Sequence, residues 1–288
     1  MEFSPEQKKV IASRGRNLLV SAAAGSGKTA VLVERVLALI TDPDAPVDLD
    51  RILIVTFTEA AAGEMKERLA RELERRILEE PDSEHLKRQA VLIHHAQINT
   101  IHSFCSYIIR NYFFRTGIDP TFRVMEEGES RLMISDVMSE MLEEKYQEAG
   151  EEFTGLVTNY FAQKSDEGLE DVIETLFLTA QTMPWPKKWF EGAAERYDEE
   201  KIPEYCDTEE EIAQQRYTAP YVRELIALAS EFTERFNSRK REKNVCDFAD
   251  LEHLALEILH EEDDTGEMVR SDAAKELASR YKYIMTDE

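Results

Sequence analysis

Ala22-Ala-Ala-Gly-Ser-Gly-Lys-Thr29 is the stretch from which the rest of this sequence can be read. A loop that binds phosphate needs small residues, so that backbone N–H groups can close around the phosphate oxygens. It also needs a Lys to reach the β- and γ-phosphates and a Ser or Thr hydroxyl for Mg²⁺. Gly25 and Gly27 supply the backbone freedom, and Ala22, Ala23, Ala24 and Ser26 are the small residues around them. Lys28 and Thr29 open the segment that follows. If that segment is helical, its N-terminal dipole adds to the anion site. Ala22 stands where the general pattern has its first glycine.

The flanks give the loop its context. Before it, Asn17-Leu-Leu-Val-Ser21 is a short apolar run that predicts a strand, and after it Thr29–Ile40 has helical periodicity. A second such unit follows, with Arg51-Ile-Leu-Ile-Val-Thr56 as strand and Ala60–Leu78 as helix, and a third runs from Ala96–Thr100 into Ser103–Tyr112. Strands alternating with helices predict an α/β fold with a parallel sheet covered on both faces. At the entry, Ser4 and Pro5 predict a capped helix over Glu6–Ala12.

The texture changes after Gly117. Acidic helices are predicted at Ser130–Ala149 and Glu167–Thr182, stopped by Met183-Pro-Trp-Pro. Residues 191–215 are acid-rich and nearly featureless, which predicts a linker or loose loop. Helices return at Tyr221–Lys243 and Phe248–His260. The expected organisation is a phosphate-binding α/β domain begun by residues 1–125, a helical insertion and linker over 126–220, and a return to the first domain over 221–288.

The returning segment ends in Tyr283-Ile-Met-Thr-Asp-Glu288. Taken alone, an apolar run ending in two acids is an ordinary strand end. Paired with the phosphate loop, it predicts Asp287 as the acid that holds Mg²⁺ through water and Glu288 as the acid that polarises the attacking water in phosphoryl transfer. Two further strand-to-helix turns are rich in hydroxyls. In Val55-Thr-Phe-Thr58, threonine hydroxyls and helix amides can grip a phosphate and Phe57 can stack on a base; a strand end with Thr58 as N-cap fits as well. Asn99-Thr-Ile-His-Ser-Phe104 has the same character, and His102 fits a structural role equally. Neither His94 nor His95 has ligand spacing to a cysteine.

Composition sets bounds without deciding the function. The 288 residues are 42% apolar, enough for a core, and no stretch approaches the roughly 20 apolar residues of a membrane span. Three scattered cysteines and an N-terminus without a basic-then-apolar leader predict a reduced, cytoplasmic protein. A net charge of −24 argues against a protein that coats nucleic acid. The first 120 residues, however, hold 17 acids against 16 bases, and the excess acid lies behind them. Two other readings stay open on these residues. One is a nucleotide kinase or signalling ATPase with a small-molecule acceptor. The other is a docking surface on the acidic helices of 127–190, which solvated helix faces explain just as well.

In order along the chain, Phe3–Gln7 with Ser21–Thr29, Ile52–Arg68, Thr100–Phe104, Asp247-Phe-Ala-Asp-Leu251 and Ile284–Glu288 resemble the first motifs of superfamily 1 DNA helicases related to UvrD and Rep. Ala-x-Ala-Gly-Ser-Gly-Lys-Thr is that superfamily's version of the loop, which accounts for Ala22. Thr100-Ile-His-Ser-Phe-Cys105, Gly117-Ile-Asp-Pro-Thr-Phe-Arg-Val124, Met183-Pro-Trp-Pro186 and Asp247-Phe-Ala-Asp-Leu-Glu-His253 narrow the resemblance to the AddA (RexA) helicase-nuclease subunits, over residues 1–190 and 221–288.

The resemblance implies a RecA-like P-loop fold using ATP and Mg²⁺ in a 3′–5′ motor. That motor acts with an AddB-type partner subunit on single-stranded DNA and double-stranded ends during break resection. It implies that Gln7, 14 residues before Ser21, reads adenine, since a side-chain amide can pair with both its donor and acceptor edges. It also implies that Thr56, Phe57, Thr58 and His102 lie near single-stranded DNA. The family continues its acidic motif as Asp-Glu-Tyr-Gln-Asp, whereas this sequence stops at Glu288, and the spacer before Asp247 is shorter than the family pattern. The expectation is a half-motor that binds Mg·ATP and hydrolyses it weakly by itself, the second motor domain and the nuclease lying elsewhere.

Overall fold

The computed structural model describes residues 2–23, 25–161 and 167–287. They divide into two compact units, one made of residues 1–112 and 257–288 and the other of residues 113–256. Residues 221–256, expected with the first unit, lie in the second.

The first unit is built on a parallel three-stranded sheet. Its centre is β1 (Ile52–Thr56), flanked by β2 (Gln97–Thr100) and β7 (Tyr283–Asp287), in the order β2-β1-β7. A β-branched run such as Ile-Leu-Ile-Val suits a strand buried on both faces, and Ile52, Leu53 and Ile54 are all in the core. The helices α2 (Lys28–Ile40) and α3 (Glu59–Glu79) supply that cover. Val33, Val36, Leu37 and Ile40 make an i, i+3, i+4, i+7 stripe on α2, and Ala62, Met65, Leu69 and Leu73 an i, i+3, i+7, i+11 stripe on α3; both pack into one core with Met285 of β7. Around them stand α1 (Pro5–Ala12), α4 (Glu84–Leu92) and α5 (Ile101–Tyr112). An antiparallel hairpin of β5 (His260–Glu262) and β6 (Met268–Arg270) precedes α12 (Asp272–Arg280). Its turn is fixed by Asp263, whose carboxylate accepts from Thr265 N at 2.9 Å and Glu267 N at 3.0 Å.

The predicted strand at Asn17–Ser21 is absent: these residues carry no ladder, and Leu19 is 100% exposed. A strand exists only through its neighbours' hydrogen bonds. The described ladders of this sheet join β2, β1 and β7, and residues 17–21 take part in none of them.

The second unit is helical. Its helices are α6 (Glu127–Glu148), α7 (Glu151–Tyr160), α8 (Glu167–Gln181), α9 (Pro186–Glu195) and α10 (Glu209–Glu242), packed around Phe177, Phe232 and Phe236. Phe177 meets Phe232 and Phe236 edge-on at centroid distances of 5.1 and 5.5 Å, the arrangement that ring quadrupoles favour. A short parallel pair, β3 (Arg123–Val124) with β4 (Val245–Cys246), leads into α11 (Phe248–Leu259).

The linker expected over 191–215 is corrected by this unit. Thr208 and Glu211 form a reciprocal capping box that starts α10 at Glu209. The helix then runs 34 residues, straight through Pro220. Proline removes one backbone hydrogen bond from a helix interior. The stripe Ala229, Phe232, Phe236 and Lys240 beyond it buries enough to hold the remainder. Among the described residues no helix is long and apolar enough to cross a membrane.

Candidate nucleotide site and strand-end surface

The phosphate loop is shaped by two left-handed residues, Gly25 at φ +75° and Gly27 at φ +82°. A Cβ is strained at both positions. Gly27 is also the N-cap of α2, so the free backbone N–H groups of that helix open toward the loop. Lys28 Nζ donates to Ala22 O at 3.0 Å, which ties its ammonium across the loop. Ala24 lies outside the described residues.

Parallel register brings the other candidates to the same edge. Thr56 of β1 stands opposite Thr100 of β2 on one side and Asp287 of β7 on the other. All three end their strands at the carboxyl edge, where open α/β sheets bind ligands. Thr29 Oγ1 comes within 3.4 Å of Asp287 Oδ2, although 258 residues separate them. That is long for an O–H···O bond, whose usual length is about 2.7–2.8 Å. Two oxygens about 3 Å apart suit neighbouring positions around a hard cation such as Mg²⁺. The donor set therefore fits Mg²⁺ held by one hydroxyl, one carboxylate and phosphate oxygens. Among the described residues no group of three His, Cys, Asp or Glu side chains forms a separate metal cluster. Glu288 lies outside the described residues.

Gln7 also reaches the loop. Its Nε2 donates to Ser26 O at 3.1 Å, and its Oε1 accepts from Ser4 N at 2.8 Å. A side-chain amide has two N–H donors and two carbonyl lone pairs, so one of each remains for a base edge.

The four residues predicted to face DNA divide. Phe57 is 86% exposed, and Thr58 caps α3 by accepting from Ala61 N at 3.1 Å. His102 is half-buried in the first turn of α5. Thr56, by contrast, is buried and donates its hydroxyl to Thr58 O at 2.9 Å; it shapes the turn from inside.

Sequence reasoning missed Glu59. Its Oε1 accepts from Ser103 Oγ at 2.6 Å and Thr100 Oγ1 at 2.7 Å, locking the start of α3 to the start of α5. These bonds, the Ser103 bond foremost, hold its carboxyl below the ordinary carboxylate range. A lowered pKa adds stability above the unfolded value near 4.5, lost as pH falls through the folded value. Glu59→Ala is expected to lower the melting temperature by roughly 2–4 °C at pH 7, for about 1 kcal/mol at a solvent-screened site. The gap from wild type should narrow below pH 4.5. Equal gaps at pH 7 and pH 4 would show that the carboxylate contributes nothing as an anion.

A family model for the UvrD/REP helicase N-terminal domain matches residues 3–288. The chain belongs to that family. Many relatives of this helicase-family chain are named as ATP-dependent helicase/nuclease subunits of the A type. The one from Lachnoclostridium phytofermentans is 52% identical over 189 residues, 66% of this chain and 14% of that protein. The one from Clostridium botulinum is 29% identical over 401 positions, covering 100% of this chain and 32% of that protein. A Bacillus licheniformis relative is 30% identical over 398 positions, with 99% and 32% covered. The chain thus spans about a third or less of the curated relatives it matches. The 401-position alignment also exceeds the 288 residues here, so that relative carries segments this helicase-family chain lacks.

Proposed function

We propose that this chain is the ATP-binding front half of the motor in an ATP-dependent 3′–5′ DNA helicase-nuclease subunit, with a RecA-like P-loop fold in its first unit. The observation that carries the reading is the approach of Thr29 to Asp287 beside a loop with two left-handed glycines. Lys28 binds the β- and γ-phosphates, Thr29 and Asp287 would hold Mg²⁺, and Gln7 reads adenine. Bound Mg²⁺ would neutralise charge on the phosphates. Glu288 polarises the attacking water. Phe57, with Thr58 and His102 beside it, faces single-stranded DNA at the ends of β1 and β2, and Phe57 offers a stacking face. The whole subunit works with an AddB-type partner at double-stranded ends in break resection, and the helices of the second unit form its 1B-type insertion.

Titrating a fluorescent ATP analogue with Mg²⁺ tests the nucleotide part. The expected result is saturable binding that ATP displaces and GTP does not; displacement by GTP at equal concentration would refute adenine selection. Glu288→Gln separates the two acids. It replaces the carboxylate with a neutral amide of the same shape, so nucleotide affinity should stay within about twofold while hydrolysis in the full subunit falls by roughly 10²–10³. Loss of affinity in that variant would assign Glu288 to binding instead.

A further inference from the structure

Helix α1 carries Gln7 but has no buried side chain of its own. Val10 and Ile11 are only half-buried, so burial by itself holds α1 weakly. Its anchors are polar and sit at its two ends. At the N-terminal end Gln7 bonds Ser26 O of the phosphate loop. At the C-terminal end the last backbone carbonyls, which have no partner within the helix, are taken by two arginines.

Arg35 projects from α2 and is only 8% exposed. Its Nη1 donates to Val10 O, to Ser13 O at 2.8 Å and to Ile11 O at 3.5 Å. Arg14 adds a bond to Ile11 O at 2.7 Å and reaches Ala38 O of α2 at 3.2 Å. Arg14 also has a carboxylate partner, Asp42 at 3.4 Å. Arg35 has none among the described residues. Burial lowers its pKa from the ordinary arginine value, and repulsion from Arg14 adds to this; the guanidinium stays charged at any pH the protein meets. A buried cation facing only neutral carbonyls is costly to keep. What compensates here is the negative end of the α1 dipole. Gln7, Val10 and Ile11 are spaced three and four apart, so they share the half-buried face of α1 that Arg35 grips.

We propose that Arg35 is a positioning residue for base recognition: it fixes α1 to α2, and so sets Gln7 relative to the loop that begins the same α2. Lys28 and Thr29 open α2 and Arg35 follows about 9 Å further along it, at 1.5 Å per residue. The phosphate ligands and the base reader therefore ride on one rigid element. This rests on the reading of Gln7 as the adenine-selecting residue.

The test is calorimetric titration of the chain with Mg·ATP, Mg·GTP and Mg·tripolyphosphate, the last having no base. Wild type, Arg35→Met, Arg35→Lys, Gln7→Ala and the Arg35→Met/Gln7→Ala double variant are compared. Arg35→Met should cut the preference for ATP over GTP by about tenfold, the factor of one well-made hydrogen bond. Its affinity for tripolyphosphate should stay within about twofold, and Arg35→Lys should keep part of the preference. Adding Gln7→Ala to Arg35→Met should cost nothing more, because both act on one contact. An unchanged ATP preference in Arg35→Met overturns the inference. So does a parallel loss of tripolyphosphate binding, which would make Arg35 a support of the whole unit. If Gln7→Ala alone leaves the preference intact, the adenine reading itself fails, a result separable from the first two.

Discussion

In the same titration, Lys28→Ala is expected to show no saturable binding of Mg·ATP at concentrations that saturate the parent chain. The loop that Lys28 serves is made almost wholly of backbone donors and small side chains. Ala22, Ala23, Ser26 and the two left-handed glycines bring N–H groups but no formal charge. A triphosphate brings several negative charges into that loop. Lys28 is the cation tied across it, 3.0 Å from Ala22 O. A hydrogen bond to a charged group is worth about 1.5–3 kcal/mol, and an ammonium between the β- and γ-phosphates makes at least two. The expected loss is therefore roughly 10²-fold or more, at 1.4 kcal/mol for each factor of ten. Circular dichroism of the variant should match the parent, because Lys28 is not one of the buried core residues. A loss of less than about threefold would mean that the helix dipole and backbone amides bind the phosphates by themselves. Lys28 would then have another task.

How much of this was legible in the sequence depended on how local each cause is. Gly25 and Gly27 announce a left-handed turn by themselves, and both adopt it. Thr29 and Asp287 are paired by chemistry that requires both, and the first turn of α2 brings Thr29 within 3.4 Å of Asp287 at the end of β7. The run Asn17–Ser21 has the composition of a strand but not its partner, and composition cannot supply a ladder. Residues 191–215, acid-rich and nearly featureless, suggested a linker. The cap at Thr208 and the buried stripe beyond Ala219 show one continuous helix. Arg35 and Glu59 escaped notice for a shared reason. Each acts on backbone or hydroxyl groups more than 20 residues away, and neither spacing nor residue type reveals such partners. Of the residues expected to face DNA, Phe57 is exposed and Thr56 is buried, a difference that residue type alone does not reveal.

Asp247-Phe-Ala-Asp-Leu251 is the motif whose spacing the second unit explains, and breaking its cation is the other large effect expected. Asp247 and Asp250 cap each other at the start of α11: Asp247 N donates to Asp250 Oδ2 and Asp250 N to Asp247 Oδ1, both at 2.9 Å. Lys240, at the end of α10 and only 2% exposed, donates to Asp247 Oδ2 and Asp250 Oδ1 at 2.7 Å each. Its ammonium also lies 4.4 Å from the Phe236 ring centre, in range for a cation–π contact. Burial raises the Asp250 carboxyl above its ordinary value near 3.8, Asp247 adds like-charge repulsion, and Lys240 opposes both.

Lys240→Met keeps the stem volume and removes the charge, leaving two acids facing each other in a half-dry pocket. Removing one partner of a buried ion pair typically costs about 3–5 kcal/mol, so the melting temperature should fall by roughly 10 °C at pH 7. The pH dependence follows from the direction of the shift. A carboxyl whose folded pKa is raised contributes stability that is full below its unfolded value, near 3.8, and lost as pH rises through the folded value. Without Lys240 that folded value rises further, so the deficit against wild type should shrink between pH 7 and pH 5. Asp250→Asn in the Lys240→Met background should recover part of the stability at pH 7 and flatten its pH dependence. Melts of the three proteins at both pH values decide the matter. A deficit independent of pH, or no recovery from Asp250→Asn, would mean that Lys240 stabilises through its stem and the Phe236 contact rather than by neutralising the pair.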